Sequence, residues 1–480
     1  MQFETGYRKT VYEMVRESCA MFGERVLFSY MRRNAIEEVT FDTFYRDVCK
    51  TAACFEKRDV AGKYIVIDGK NEYEAIVAMC GAAFAGAIAA VLNFDLPEEE
   101  IEYALERMNP AMIVCDEDYF DVVEGDVEKN GTDCVFLTES EDRESIRRWI
   151  AGEGGQYEAA KEQCPEDGAL VLMTSGSTSR SKLVLLSHYG YMPTLEMYSQ
   201  KSMLLFPLYH VAGTMMVVNA IAKGVNLCLS SLKNGLRDAE WFRPEEVVAV
   251  PAFISLLVNR NRQGLFDMGG LKYVTSAGAP QNPELTQYLN EQGIFSPSAY
   301  GATETSGPVS YSTESEYRFG SIGKAGPWNE VKFSEEGEIL VKGKNVMLEY
   351  IGAPEETKEA QEDGWYHTGD VGYMDEDGFI YITGRIKNII ILSNGENVSP
   401  EAIEASLSLC PDIKEVVVYG EDDVLESHIW CGEEAGEETK KQVERYIAKY
   451  NRSVPSYRTI RKVVFREQPF TKTATGKIKR

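Results

Sequence analysis

Apolar residues follow two alternating patterns along the chain up to about Gly320. Stretches such as GYRKTVYEMVRESCAMF and LPEEEIEYALERM place apolar residues three or four positions apart, as in amphipathic helices. Between such stretches lie short, continuous apolar runs, among them YIVIDG, AMIVCD, LVLM and EVVAVP. Continuous runs rich in Val and Ile are typical of parallel strands covered on both faces. The alternation therefore predicts doubly wound α/β layers.

Beyond Gly320 the pattern changes twice. From Ser321 to Ile382 short apolar stretches alternate with glycine-centred turns, which predicts a β-rich subdomain. After Gly384 strand-like runs mix with helical ones, and about ninety residues are enough for a small separate domain. We therefore expect α/β layers, then a β-rich subdomain, then a small α+β domain.

One apolar segment has nearly the length of a membrane span. Ala75 to Leu92, AIVAMCGAAFAGAIAAVL, contains no charged residue. Its many Ala and Gly residues gain little from transfer into lipid. We interpret it as a buried helix followed by a buried strand.

The charge of the chain is strongly acidic overall and basic at one end. A formal net charge of −26 disfavours nucleic acid or an anionic membrane as a partner, because repulsion opposes the encounter. From Asn451 to Arg480, however, there are nine Lys or Arg residues and one acid, Glu467. This basic end either meets a small polyanion or is a solvated face that balances the acidic remainder.

Cysteine and histidine usage excludes several kinds of site. The ten cysteines form no Cys-x-x-Cys pair, as expected of reduced thiols, and a zinc-ligand spacing is absent. Only four histidines are present, and no Gly-x-Ser-x-Gly motif accompanies them, which disfavours a Ser-His-Asp hydrolase. The N-terminal stretch MQFETGYRKTVYEMV is polar and of mixed charge, unlike a signal peptide. We expect a cytoplasmic protein.

A loop of small hydroxylated residues follows a strand-like run at Thr174. It reads TSGSTSRSKL and contains a single lysine, Lys182. Backbone N–H groups, hydroxyls and one ammonium suit an anion such as phosphate, although the Gly-Lys-Ser/Thr signature of P-loop proteins is missing. The alternative is a solvated Ser/Thr linker.

Two further stretches carry groups suited to a nucleotide. In AYGATETSG, Tyr300 suits stacking on a purine, Thr303 suits donation to a phosphate and Glu304 suits Mg²⁺. A Tyr-Gly turn with a surface Glu is the plainer interpretation. Asp370 is suited to accept from both ribose hydroxyls, yet with Arg385 across a predicted hairpin it equally suits a cross-strand ion pair.

The chain ends in KTATGKIKR, where Gly476 precedes Lys477. The glycine frees the backbone to present one ammonium group. A frayed basic tail is the alternative.

In their order and at these intervals, the four elements resemble the adenylate-forming, AMP-binding superfamily of acyl- and aryl-CoA synthetases, carrier-loading adenylation domains and luciferases. Three other segments add to the resemblance: GAIAAVLNFDLPEEEIEYALERMNP in the early part, FPLYHVAG at the substrate gate and TSAGAP at the strand end beside adenine. The resemblance covers nearly the whole chain.

The resemblance implies a domain organisation. We expect an N-terminal AMP-binding domain, residues 1–386, built of two doubly wound α/β subdomains and a β-rich subdomain at about 321–386. A mobile α+β lid domain, residues 387–480, is expected to follow, with its hinge at Lys387.

The resemblance also implies roles for residues at matching positions. The residues expected around ATP are Thr174, Ser175, Gly176, Ser177, Thr178 and Lys182 at the outer phosphates, Gly278, Ala279 and Tyr300 at adenine, Thr303 at the α-phosphate, Glu304 at Mg²⁺, and Asp370 and Arg385 at the ribose. The other expected site residues are Lys477 at the acyl carboxylate and α-phosphate, His210, Gly213, Ala302 and Gly307 at the acyl pocket, and Asn394 and Gly395 on the side of CoA or pantetheine.

The implied activity is an acid–thiol ligase reaction in two halves. A carboxylate attacks the α-phosphorus of MgATP to give an acyl-adenylate and pyrophosphate, and rotation of the lid then brings a pantetheine thiol to the acyl group. The phosphate loop departs from the family's usual Thr-Gly-x-Pro-Lys-Gly and reads Thr-Ser-Arg-Ser-Lys-Leu. The lysine is kept, so we expect activity.

Three functions remain open at this point. The first is a CoA ligase for a fatty or aromatic acid, because the segments LYHVAGTMMVVNA, PAFISLL and GATETSGPVSYS offer no acid that would pair a substrate ammonium. The second is an enzyme that loads the phosphopantetheine arm of a carrier protein. The third is a non-catalytic binding protein with a decayed phosphate loop. All three predict small-molecule partners and no nucleic acid.

Overall fold

The computed structural model describes residues 9–138, 140, 143–152, 157, 163–174, 181–190, 199–278, 282–392, 396–421, 424–472 and 478, the side chain of residue 397 excepted. Within these residues, helices and strands alternate as far as residue 291 and strands predominate from there to residue 385.

The helices are α1 (Val11–Phe22), α2 (Phe41–Glu56), α3 (Tyr73–Phe84), α4 (Glu98–Met108), α5 (Phe120–Asn130), α6 (Ile146–Ala151), α7 (Val211–Lys223), α8 (Gly235–Phe242), α9 (Pro251–Arg262), α10 (Pro283–Glu291), α11 (Pro354–Ala360), α12 (Pro400–Leu407) and α13 (Glu437–Ser453). The strands are β1 (Val26–Arg32), β2 (Ala35–Thr40), β3 (Tyr64–Asp68), β4 (Ile88–Leu92), β5 (Met112–Cys115), β6 (Asp133–Phe136), β7 (Gly168–Thr174), β8 (Lys182–Ser187), β9 (Lys201–Leu204), β10 (Asn226–Leu229), β11 (Glu246–Ala249), β12 (Tyr273–Ser276), β13 (Ala299–Ala302), β14 (Gly307–Tyr311), β15 (Lys324–Ala325), β16 (Glu330–Phe333), β17 (Glu338–Lys342), β18 (Glu349–Tyr350), β19 (Gln361–Glu362), β20 (Trp365–Met374), β21 (Ile380–Arg385), β22 (Ile390–Ile391), β23 (Asn397–Val398), β24 (Glu415–Glu421), β25 (Val424–Trp430) and β26 (Ile460–Phe465).

Two mainly parallel sheets form the larger part of the molecule. One has the strand order β12-β11-β9-β10-β1-β2, and the other has the order β18-β8-β7-β4-β3-β5-β6. In the first sheet only the β1–β2 pair is antiparallel, and in the second only β7–β8 and β8–β18 are. The predicted doubly wound α/β layers are confirmed.

The largest hydrophobic cluster joins the two sheets through the helices between them. Its members come from strands of both sheets and from α1, α2, α3 and α7. All twelve residues of α3 are buried, and it is followed by the buried strand β4. The interpretation of Ala75–Leu92 as a helix followed by a strand is thus confirmed. Among the described residues no helix combines the length and apolar character that crossing a bilayer requires.

Antiparallel sheets follow from Ala299, earlier than the change of pattern at Ser321. Strands β13, β14 and β15 form one sheet, and β16, β17, β20 and β19 form another in which β21 pairs with β20. The early start depends on a close approach of backbones that only glycine permits, since a Cβ on Gly301 would lie 1.9 Å from the carbonyl oxygen of Gly307.

The last part has a hydrophobic core of its own. Strands β24, β25 and β26 form a sheet, β22 and β23 form a separate pair, and α12 and α13 supply buried residues such as Ile403 and Val443. The charged helix α13 therefore buries one apolar stripe and exposes its Lys/Glu face.

Candidate functional site

Asp370 accepts hydrogen bonds from two side chains that come from different parts of the chain. Strands β20 and β21 pair so that Asp370 lies opposite Arg385, and the Arg385 Nε donates to Asp370 Oδ1 at 2.6 Å. The Tyr300 hydroxyl, on β13, donates to Asp370 Oδ2 at 2.7 Å. The predicted hairpin ion pair is present, and it includes the tyrosine that the sequence assigned to adenine.

A buried carboxylate supports the turn before Asp370. Glu338 accepts from the backbone N–H of Gly369 at 2.9 Å and lies 2.8 Å from His367 Nδ1. Gly369 has φ +71°, a left-handed conformation that favours glycine. Sequence analysis did not identify Glu338. The signal that was available is the polar residue at the start of an otherwise apolar strand, EILV.

Glu304 lies in a short 3₁₀ turn, Thr303–Thr305, directly after β13. Its Oε1 accepts from the Tyr350 hydroxyl at 2.9 Å. The same tyrosine also contacts Lys182, whose ammonium lies 4.4 Å from the centre of the Tyr350 ring. Burial, followed by the charge of Glu304, raises the pKa of Tyr350, so its hydroxyl stays protonated and donates. Tyr350 therefore links two predicted site residues, and sequence analysis did not identify it.

Tyr366 connects this group to the Asp370 group. Burial raises the pKa of Tyr366 well above its ordinary value, and the nearby Glu304, Tyr350 and Tyr300 add to that rise. Burial lowers the pKa of Arg385, but the charge and hydrogen bond of Asp370 raise it overall, with smaller contributions from Tyr300 and Tyr366. Tyr366 therefore lies near both groups of predicted site residues.

The base of the predicted phosphate loop is a β-hairpin. Thr174 at the end of β7 pairs with Lys182 at the start of β8. A strand rather than a helix therefore follows the loop, as the missing P-loop signature indicated. Lys182 Nζ lies 2.6 Å from Glu356 Oε2, and the backbone N–H of Ser181 donates to Glu100 Oε2 at 3.3 Å. Ser175, Gly176, Ser177 and Thr178 lie outside the described residues.

The predicted acyl-side residues gather around Phe206 and α7. The His210 ring stacks on Phe206 at 5.1 Å, and its Nδ1 accepts from the Ala212 N–H at the start of α7. Gly278, with φ +84°, would place a Cβ 3.9 Å from Phe206. Ala279, which is also predicted beside adenine, lies outside the described residues.

Two of the glycines predicted at the acyl pocket lie against neighbouring groups. A Cβ on Gly213 would be 2.1 Å from the Pro207 carbonyl oxygen, so this glycine permits α7 to pack on the preceding turn. A Cβ on Gly307 would be 2.5 Å from Met215 Sδ. The space beside Gly307 is therefore filled by a flexible methionine. The backbone of Ala302 is held by its own turn, since its N–H donates to Thr305 Oγ1 at 3.0 Å.

Lys387 lies in a 3₁₀ turn, Ile386–Asn388, between β21 and β22. The next residue, Asn388, donates to Glu401 Oε1 on α12 at 2.5 Å. Asn394, Gly395 and Lys477 lie outside the described residues.

Glu304 fits a metal that is shared with a substrate. Among the described residues no three His, Cys, Asp or Glu side chains form a group able to hold an ion by themselves. Mg²⁺ is commonly bound by one or two carboxylates together with phosphate oxygens and water, so the single carboxylate of Glu304 suits Mg²⁺ held with a nucleotide.

Fold and site together define an α/β protein with two mainly parallel sheets and with side chains suited to an anionic, hydroxylated ligand. The chain matches the family model "AMP-binding enzyme" over residues 15–351 and the model "AMP-binding enzyme C-terminal domain" over residues 387–480, and it belongs to the AMP-binding enzyme family.

Curated relatives match along most of their length. The long-chain-fatty-acid–CoA ligase FadD13 of Mycobacterium tuberculosis is 26% identical over 433 residues, which is 85% of each chain. A 2-succinylbenzoate–CoA ligase of Bacillus mycoides is 28% identical over 460 residues, 90% of each chain. A feruloyl-CoA synthase of an Amycolatopsis species is 28% identical over 397 residues, covering 75% of this chain and 76% of the relative.

Solved structures share the fold at low identity. The anthranilate CoA ligase AuaEII, in complex with anthranoyl-AMP, superposes with a TM-score of 0.87 at 20% identity and covers 98% of this chain and 96% of its own. ATP-bound MatB from Rhodopseudomonas palustris gives 0.84 at 21% identity, with 98% and 97% covered. These similarities confirm the large α/β domain and the smaller C-terminal one.

Proposed function

We propose that the protein is an ATP-dependent carboxylic acid–CoA ligase that works through an acyl-adenylate. The observation that carries the proposal is the cluster in which Lys182, Glu304 and Asp370, from three distant chain segments, are linked through tyrosines. The curated relatives support CoA as the acceptor, because their names differ in the acid and share CoA.

In this function the cluster binds one nucleotide along its length. Asp370 accepts from the ribose hydroxyls while Arg385 and Tyr300 hold its carboxylate in place. Lys182 and the loop residues 174–178 bind the outer phosphates, and Thr303 contacts the α-phosphate. Glu304 would hold Mg²⁺, and the ion would supply positive charge to the phosphate oxygens. Gly278, Ala279 and Tyr300 flank adenine.

The acid enters from the side of α7. His210 and the backbone near Gly213, Ala302 and Gly307 line its pocket. Apart from Glu304, which is assigned to Mg²⁺, the three pocket segments contain no acidic side chain that would pair a substrate ammonium, so a fatty or aromatic acid is favoured. Met215, packed against Gly307, is flexible enough to adjust the depth of the pocket.

The two half-reactions use two arrangements of a mobile lid. Residues 1–386 form the AMP-binding domain, with the β-rich subdomain at about 321–386, and residues 387–480 rotate about Lys387. In the first half-reaction Lys477 binds the acyl carboxylate and the α-phosphate, and the attacking carboxylate displaces pyrophosphate. In the second half-reaction Asn394 and Gly395 face the thiol, whose sulfur displaces AMP to give the thioester.

Acid-dependent ATP–pyrophosphate exchange tests the proposal. A panel of fatty and aromatic acids should include at least one that supports exchange, and the same acid should give a thioester with free CoA. Thioester formed only with a phosphopantetheinylated carrier protein would identify the acceptor as a carrier instead. Folded protein that exchanges with no acid would favour a non-catalytic binding protein.

A further inference from the structure

A carboxylate without an assigned role contacts the phosphate-loop lysine. Glu356 Oε2 lies 2.6 Å from Lys182 Nζ, within ion-pair distance. Glu356 belongs to α11, which directly follows β18, and β18 pairs with β8, the strand that begins with Lys182. The sheet therefore fixes α11 beside the base of the loop.

Two side chains contact the Lys182 ammonium. Glu356 forms an ion pair with it, and the ammonium also lies over the Tyr350 ring, whose hydroxyl donates to Glu304. The Lys182 side chain is 24% exposed and that of Glu356 is 48% exposed. The ammonium is thus held in place, whereas its acidic partner is accessible to water and can swing away.

A second carboxylate accepts a hydrogen bond from a donor of the phosphate loop. The backbone N–H of Ser181, at the end of the loop, donates to Glu100 Oε2 on α4. Backbone N–H groups and the ammonium are the donors that a phosphate loop offers to an anion. Here two of these donors are already taken by side-chain carboxylates.

We propose that Glu356 is a positioning residue of the nucleotide site. Its carboxylate holds the Lys182 ammonium until the outer phosphates of ATP take the place of that carboxylate. The inference rests on the proposed function, in which Lys182 binds those phosphates. Because the glutamate and the phosphates compete for one cation, Glu356 lowers the affinity for ATP while it keeps Lys182 aligned. AMP lacks the outer phosphates and does not enter this competition.

Nucleotide affinity in Glu356→Gln tests this directly. The variant removes the charge and keeps the shape, and calorimetric titration with MgATP should give a Kd about two- to fivefold lower than that of the wild type, the range expected for an exposed ion pair. The Kd for AMP should be unchanged. Glu355→Gln, with the same charge change one position earlier on α11, should leave both affinities unchanged. An unchanged or weaker ATP affinity in Glu356→Gln would overturn the proposal.

A double-variant cycle separates pairing from general repulsion. In a Lys182→Gln background, Glu356→Gln should no longer tighten ATP, because the cation that the two anions share is gone. An equal gain in both backgrounds would refute the pairing. If wild-type protein binds neither ATP nor AMP, the proposed function itself fails. If it binds both and only the Glu356 effect is missing, this inference alone fails.

Discussion

The contact between Asp370 and Arg385 does not by itself indicate a functional site. A cross-strand pair with its arginine side chain 53% exposed contributes on the order of 0.2–1 kcal/mol, and many proteins have such pairs. What distinguishes this pair is the half-buried Tyr300, whose hydroxyl also donates to Asp370. The carboxylate is therefore fixed from two directions. It is thereby oriented to accept two further hydrogen bonds from a diol.

The ribose role of Asp370 predicts a loss of sugar discrimination. In the wild type, ATP should support exchange with a kcat/KM about tenfold or more above that of 2′-deoxy-ATP, because the missing hydroxyl leaves a charged acceptor unpaired. In Asp370→Asn the kcat/KM for ATP should fall to near the value for 2′-deoxy-ATP. The measurement is steady-state exchange with both nucleotides. Discrimination that survives the substitution would argue for a plain structural ion pair.

The bridging role of Tyr350 predicts a change in metal dependence. Tyr350→Phe keeps the ring beneath Lys182 and removes only the hydroxyl that donates to Glu304. The freed carboxylate should bind Mg²⁺ in a less defined orientation. We expect the half-saturating free Mg²⁺ concentration in exchange to rise by about threefold, which corresponds to one lost hydrogen bond.

Tyr373→Phe is the matched control for Tyr350→Phe. Tyr373 is an exposed residue of β20 whose ring stacks on Tyr381, away from Glu304. Its substitution should leave the Mg²⁺ dependence unchanged. The assignment of Glu304 to the metal would be contradicted if Tyr350→Phe altered the rate at saturating Mg²⁺ and left the half-saturating concentration as in the wild type.

At the scale of elements, the strand β11 contains a buried acid whose titration affects stability. Burial raises the pKa of Glu246 from 4.5 to about 7, and a hydrogen bond from Ser199, the neighbouring Ser202 and the charge of Lys223 offset part of this rise. A carboxyl whose pKa is raised by folding stabilises the fold fully below its unfolded pKa, and this contribution is lost as the pH rises to about 7. Above that pH the folded state contains a buried charge.

Glu246→Gln should therefore stabilise the protein at pH 8 more than at pH 5. We expect a gain at pH 8 of about 1–3 kcal/mol in the free energy of unfolding, seen as a higher thermal midpoint, and a much smaller gain at pH 5. Glu245→Gln is the matched control. Hydrogen bonds from Lys272 and Gln200 lower the pKa of Glu245, so its substitution should bring no gain at pH 8. Equal midpoint shifts for Glu246→Gln at both pH values would contradict the buried-charge argument.

The sequence predicted most elements and only some of the site. The continuous apolar run at 75–92 predicted α3 and β4, because a helix and a strand that are buried on all sides need no polar face. The predicted hairpin brought Asp370 opposite Arg385 because antiparallel register is set locally. Glu304, Asp370 and Arg385 were predicted as site residues from local motifs, whereas the tyrosine that joins Glu304 to Lys182 was not.

The missed residues share one physical cause. Tyr350 lies in the two-residue strand β18, which is too short to give a periodic pattern, and its contacts depend on pairing with β8, far away in the chain. Glu356 meets Lys182 through the same pairing. Contacts that arise from non-local strand pairing carry no local sequence signal, so they were accessible only from the structure.

At the scale of the whole molecule, the proposed lid contacts the larger part near the hinge through Ser399, whose hydroxyl donates to the Thr383 carbonyl. Gly384 allows this approach, since a Cβ there would lie 2.3 Å from Ser399 Oγ. Residues of the proposed lid form a hydrophobic core of their own, as a unit that moves as a whole requires.

If the lid alternates between two arrangements, Lys477 should affect the rate of one half-reaction and not that of the other. Lys477→Ala should lower the rate of acyl-adenylate formation by about 10²-fold or more, because a cation that stabilises charge on the α-phosphate is lost. Thioester formation from pre-formed acyl-adenylate and CoA should stay within a few-fold of wild type. Lys479→Ala, with the same charge change two positions later, should affect neither step. Single-turnover assays of each half-reaction make the comparison, and an equal loss in both would mean that Lys477 serves a fixed site rather than a moving lid.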